Sequence, residues 1–152
     1  MVLRCLPILI FAALLPYPYG LSLPYDLLSG VLFLLSISLG FLVLVAFSML
    51  IYITAFYTLS PLGIRILATS VIEFFSGALI PLPFFPETLQ PLIYALPFAS
   101  MQSTPFLIYA GHVKGREAME NILLQVVWLA VLTAVGRLLM KRALKKVVVQ
   151  GG

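Results

Sequence analysis

Five prolines fall inside one apolar stretch, residues 76–98, SGALIPLPFFPETLQPLIYALPF: Pro81, Pro83, Pro86, Pro91 and Pro97. A proline in a helix interior removes a backbone hydrogen bond and collides with the preceding turn, at a cost of about 3 kcal/mol. Hydrocarbon offers no replacement partner, so lipid-exposed backbone cannot be left open in this way. A stretch this apolar and this broken must be enclosed by protein or line a cavity. It points to a moving part of a membrane machine rather than to a plain anchor.

The rest of the chain agrees with a membrane setting. It is 62% hydrophobic and 9% charged, with a mean hydropathy of +1.16, whereas soluble domains are nearer half apolar and a quarter charged. At 152 residues it makes a single transmembrane domain, 1–152. The net charge of +4 is concentrated late, in Arg137, Lys141, Arg142, Lys145 and Lys146. These charges follow an apolar span instead of covering a folded face, which argues against nucleic acid as a partner. A single cysteine, Cys5, excludes an internal disulfide and any cysteine-based metal cluster.

Residues 27–64 carry no charge over 38 positions. A bilayer core needs about 20 helical residues, so the run is long for one upright helix and short for two. The turn cluster Ser60-Pro61-Leu62-Gly63 predicts one tilted helix over 27–59, with a kink between Ser36 and Gly40 as the alternative. Upstream, residues 3–15 form a shorter apolar run, read as a span or as a signal peptide. Downstream, 64–80 is expected as a third span and 121–140 as the last. Four crossings place both termini on one side. The positive-inside rule makes that side cytoplasmic, with seven of the nine basic residues there and Lys114 and Arg116 outside.

In that topology residues 81–116 lie at the outer face. Pro86 with Glu87 is expected to start a helix, because proline suits the first turn and a carboxylate suits its positive end. Leu89, Leu92, Ile93 and Leu96 then form one apolar stripe, Pro97 ends it, and a second short helix covers 106–110. The fold expected is all-α: a polytopic helical bundle of about four spans with a proline-rich re-entrant hairpin. An interfacial helix resting on lipid is the alternative for the hairpin.

The motif order Ser76-Gly77-Ala78-Leu79-Ile80-Pro81-Leu82, Phe85-Pro86-Glu87-Thr88-Leu89-Gln90 and Leu96-Pro97-Phe98 resembles that of type-2 ABC-transporter permeases. The basic segment ending Val148-Val149-Gln150-Gly151-Gly152 is similar to that of one subgroup. The resemblance implies a membrane subunit of an ATP-driven exporter in the plasma (inner) membrane of a prokaryote. It implies two permease subunits, identical or different, working with ATP-binding-cassette ATPase subunits. Permeases of this kind have six spans, and this chain aligns from about the third onward, so the first two are expected to be missing. A small non-transporting membrane protein that scaffolds or regulates another complex is the alternative function.

Within the spans, Glu73 is the one acid at expected bilayer depth. Such a group must face protein or water, so it is either a polar point on a substrate path or a structural carboxyl. Ser76, Gly77, Pro81, Pro86 and Pro97 are the companion candidates for path and gate. Ser36 with Gly40, and Ala130 with Ala134, have the four-residue small-residue spacing that lets helices approach closely, within one subunit or between two. The basic cluster at 137–146 anchors the chain at anionic lipid. No phosphate-binding loop G-x-x-x-x-G-K-[ST] occurs, so ATP hydrolysis is expected from a partner, and no metal or cofactor is called for.

Overall fold

The computed structural model describes residues 26–54, 56–58 and 60–146, with the side chain of Lys146 outside that set. The expected first span at 3–15, Arg4, Cys5 and the end of the basic tail lie outside the described residues. Every regular element described is helical: α1 (Leu27–Thr54), α2 (Pro61–Phe75), a 3-10 turn (Leu82–Phe84), α3 (Gln90–Ala95), α4 (Pro97–Met101), α5 (Ser103–Tyr109) and α6 (Gly115–Lys146). Two of them, α1 and α6, are long and apolar enough to cross a membrane.

The 28 residues of α1 reach about 42 Å at the standard rise, longer than a hydrocarbon core of about 30 Å. The helix is continuous through Ser36 and Gly40. It starts at Asp26, whose carboxylate Oδ1 accepts the Ser29 backbone N–H at 2.7 Å, an N-cap that satisfies one of the orphan donors of the first turn. It ends at Thr54, five residues before the sequence expectation, in turns closed by Phe56 N–H to Ile53 O and Tyr57 N–H to Thr54 O.

The helices α1 and α6 run parallel. Ser36 lies on Gln125, and further along Leu50 lies beside Gly136, so their numbers rise together. Two parallel spans need a return between them. The expected third span, 64–80, does not supply it as one helix: α2 has 15 residues and stops at Phe75, about 22 Å long. Gly77 is the reason, since it takes φ +88°, a conformation that L side chains rarely adopt. The return is completed by residues 76–84; of the broken segments that follow, α4 packs onto both α1 and α6, α5 packs onto α1, and α3 packs onto α4 and the 3-10 turn.

Prolines set where each short helix begins. Pro61, Pro91 and Pro97 occupy the opening positions of α2, α3 and α4, and Pro83 does so in the 3-10 turn. Pro105 is in the first turn of α5. There the missing N–H has no helical carbonyl to bind. The expectation that Pro86 and Glu87 open a helix is corrected by the same rule. Pro91 cannot donate to the Glu87 carbonyl, so 86–89 closes as a turn in which Leu89 N–H and Gln90 N–H both donate to Pro86 O, at 2.8 and 3.2 Å, and the helix begins at Gln90.

Candidate functional site

Local chain chemistry leaves the hairpin, residues 82–109, with more acceptors than its short helices can use. In helices of five to seven residues the last four carbonyls, more than half of each helix, have no intrahelical partner. Three side chains answer them. The Gln90 amide reaches back to the Pro83 and Phe85 carbonyls at 3.2 and 2.8 Å. Trp128 of α6 donates its indole N–H to Ala95 O, at the end of α3, at 2.9 Å. Gln125 of α6, fully buried, donates to Ser100 O in α4 at 2.8 Å and to Ser36 O in α1 at 3.1 Å, while the Ser36 hydroxyl donates to its Oε1 at 3.0 Å. One amide thus joins both long helices to the hairpin.

The depth of this junction follows from α6. Residues 121–136 carry no charge over 16 positions, and Trp128 is the eighth of them, so the Ala95 end of the hairpin sits near the middle of that stretch. Phe98 anchors the same level, with its ring 5.3 Å from Phe47 of α1 and 6.1 Å from Phe75 of α2. At the other end Phe33 of α1 meets Phe106 and Tyr109 of α5 at 6.2 and 5.0 Å. Aromatic pairs of this kind contribute about 0.5–1.5 kcal/mol each. The hairpin is therefore seated between the spans from their N-terminal ends to about mid-depth, and this is the broken backbone that lipid alone could not hold.

Ser36 and Gly40 lie under the hairpin. A Cβ on Gly40 would meet the carbonyl oxygens of Ser100 and Met101 at 2.8 and 3.0 Å, so α4 rests on bare backbone there. Ala130 and Ala134 are exposed on the outer side of α6 and touch none of this. Ser76 is buried, and where the chain leaves α2 a Cβ on Gly77 would lie 3.4 Å from the Leu82 and Ser103 side chains. Pro97 is buried at the start of α4, whereas Pro81 and Pro86 are exposed.

Glu73 stands in the last turn of α2, exposed, two residues from the helix end. It is not gathered with the Gln125 junction. Arg137 and Lys141 of the basic cluster border a groove between α1 and α6, Arg142 and Lys145 are exposed, and Lys146 closes the helix. A cleft of about 600 Å³ opens at the N-terminal end of α6, lined by Pro83, Tyr94, Thr104, His112, Glu117 and Asn121 among others. Among the described residues no group of three metal-binding side chains occurs.

Sequence reasoning misses Gln90, Gln125 and Trp128 as partners of the hairpin. A signal for Gln125 is nonetheless present: it is the only amide side chain between Asn121 and Arg137 in an otherwise apolar run. A polar group at that depth must find a partner in protein, and the proline-broken stretch is the one place short of donors.

A family model described as ABC-2 family transporter protein matches residues 2–151. Comparison with characterised proteins and with solved structures finds no match. The matched family is that of a membrane component with no catalytic assignment, in agreement with two helices long and apolar enough to cross a membrane. The chain belongs to the ABC-2 family of transporter proteins.

Proposed function

We propose that this chain is a permease subunit of an ATP-driven exporter and forms part of the substrate path. The observation that carries the reading is the hairpin. It is backbone broken at membrane depth, held by Gln90, Gln125 and Trp128, and it is small enough to shift as one piece against two long rigid helices. A cassette ATPase subunit closes on ATP, the spans of two permease subunits rock as rigid units, and the hairpin opens the exit. Ser76, Gly77 and Pro81 form the joint through which α2 moves it, and Pro86 and Pro97 define its two bends.

In this reading the N-terminal ends of α1 and α6 face outward and their C-terminal ends lie in the cytoplasm of a prokaryotic cell, as the basic residues from Arg137 onward favour. Glu73, exposed on the single chain, faces the path shared with the second permease, and Ala130 with Ala134 offers a close-approach face to it.

Cross-linking in intact membranes, followed by affinity capture of the chain in its native genome, tests the assignment. The expected result is an ATP-binding-cassette subunit in the captured complex and ATP-dependent efflux after reconstitution. Glu73→Gln should lower efflux several-fold at unchanged levels of assembled protein, because it removes the charge and keeps the shape. Capture of a complex without any such ATPase would overturn the permease reading in favour of a scaffold.

A further inference from the structure

The C-terminal halves of α1 and α6 leave a groove of about 560 Å³ between them. Leu42, Val45, Met49 and Ile53 line one wall, and Leu129, Leu132 and Met140 line the other. The groove is polar at one end only, where Thr133, Arg137 and Lys141 follow one another at four-residue steps on one face of α6. Gly136, between them, leaves the wall without a side chain.

The two cations have no acid to meet. Along α6 the last carboxylate before them is Glu120, which pairs with Arg116 at 2.8 Å, and α1 contains no charge from Leu27 to Thr54. Among the described residues neither Arg137 nor Lys141 has a carboxylate within ion-pair distance. An apolar slot ending in two unpaired cations at the edge of a span has the polarity of a single lipid, tail in the slot and phosphate at its mouth. A soluble anion would leave the slot unfilled, and an apolar helix would leave the cations unpaired.

We propose that this groove is a specific site for an anionic glycerophospholipid, one acyl chain lying between α1 and α6 and its phosphate held by Arg137 and Lys141. The site rests on the two spans and not on the transport reading. A bound lipid would brace the C-terminal halves of the two parallel helices.

The test uses the full chain purified in detergent, with phosphatidylglycerol as probe and phosphatidylcholine as the neutral comparison, bound lipid being read by native mass spectrometry. Phosphatidylglycerol should be retained in preference and should resist displacement by excess inorganic phosphate. The double variant Arg137→Gln/Lys141→Gln should weaken retention about thirtyfold, the weight of two basic groups near a membrane surface. Arg65→Gln, exposed in the first turns of α2 and outside the groove lining, should leave retention unchanged. Ala46→Phe should lower retention by filling the slot without touching a charge. Should it fail to fold, the double variant decides, since both of its side chains are exposed. A loss from Arg65→Gln that matches the double variant's loss per charge would overturn the site, leaving diffuse surface attraction. So would equal retention of the two lipids, displacement by phosphate, or cross-linking of Met49→Cys to residues 1–25 or to a second copy.

Discussion

The two long helices and the hairpin between them solve the same problem in opposite ways. In α1 and α6 each interior peptide finds its partner four residues away, so residues such as Leu34 and Leu123 can stand largely exposed, at 64% and 63%, against lipid. The hairpin has no such self-sufficiency, because a new helix starts at Gln90, at Pro97 and again at Ser103. Its carbonyls are answered from outside, by Gln125 and Trp128 on α6, and by Gln90 folding back. The consequence is that Gln125, the buried amide of α6, serves two partners at once, the hairpin through Ser100 O and the neighbouring span through Ser36. Hydroxyls that serve only their own helix behave differently: Ser38, Thr69 and Ser70 bond the carbonyl four residues back.

The sharpest way to break this comparison is Gln125→Leu. It removes three hydrogen bonds and strands the Ser100 carbonyl and the Ser36 hydroxyl. The expected loss is about 3 kcal/mol, read by reversible unfolding in mixed detergent, with the hairpin becoming protease-sensitive before the spans do. An unchanged hairpin would mean that the carbonyls of α4 find other partners.

The next effect compares two glycines. Gly40→Ala drives a methyl group into the Ser100 carbonyl at 2.8 Å and should cost about 2 kcal/mol, since backbone cannot yield as a flexible side chain does. Gly136→Ala meets only the tip of Leu50 at 3.6 Å, an ordinary contact, and should stay within about 0.5 kcal/mol of wild type. Similar losses at both sites would remove the distinction between hairpin seat and span contact.

Smaller still is Trp128→Phe, which keeps the ring and deletes the bond to Ala95 O. The expected change is about 1 kcal/mol, together with faster amide exchange at the α3–α4 bend and no change along α1.

These effects also separate what the sequence carries from what it does not. The all-helical class and the spans at α1 and α6 are legible, because long uncharged runs bounded by Asp26, Glu120 and Arg137 leave few alternatives. The broken hairpin is legible from its prolines. The start of its first helix moves from Pro86 to Gln90, because the favourable first turn at Pro86 is outweighed by the N–H missing at Pro91. The third span is shorter than hydropathy suggests: composition continues apolar to Ile80, but Gly77 needs a positive φ that hydropathy does not register. The junction of Ser36, Gly40, Ser100 and Gln125 spans 89 positions of sequence, and no local pattern encodes a contact of that range. Ser36 and Gly40 can be seen as a close-approach pair, but not that the approaching element is a carbonyl-rich bend rather than another span.

The smallest expected effect lies at the first turn of α1, about three turns before the Gln125 junction, and it tests whether the spans are as self-contained as the comparison holds. Hydrogen bonds from the Ser29 hydroxyl and backbone N–H, with a lesser contribution from Lys114, hold the Asp26 carboxyl below its ordinary value of 3.8. A carboxyl with a depressed value in the folded state stabilises at pH above its unfolded value, and that contribution is lost as pH falls through the folded one. Acidification below the ordinary carboxylate range should therefore speed amide exchange in the first turn of α1, while the protection of Ser100 and its neighbours stays constant. Asp26→Asn should abolish the pH dependence and keep most of the cap, because asparagine also accepts from the N3 amide. Asp26→Ala should fray the turn at every pH. If acid loosened the hairpin along with the first turn, the end of α1 and the Gln125 junction would be one cooperative unit, and the division between self-sufficient spans and a dependent hairpin would have to be withdrawn.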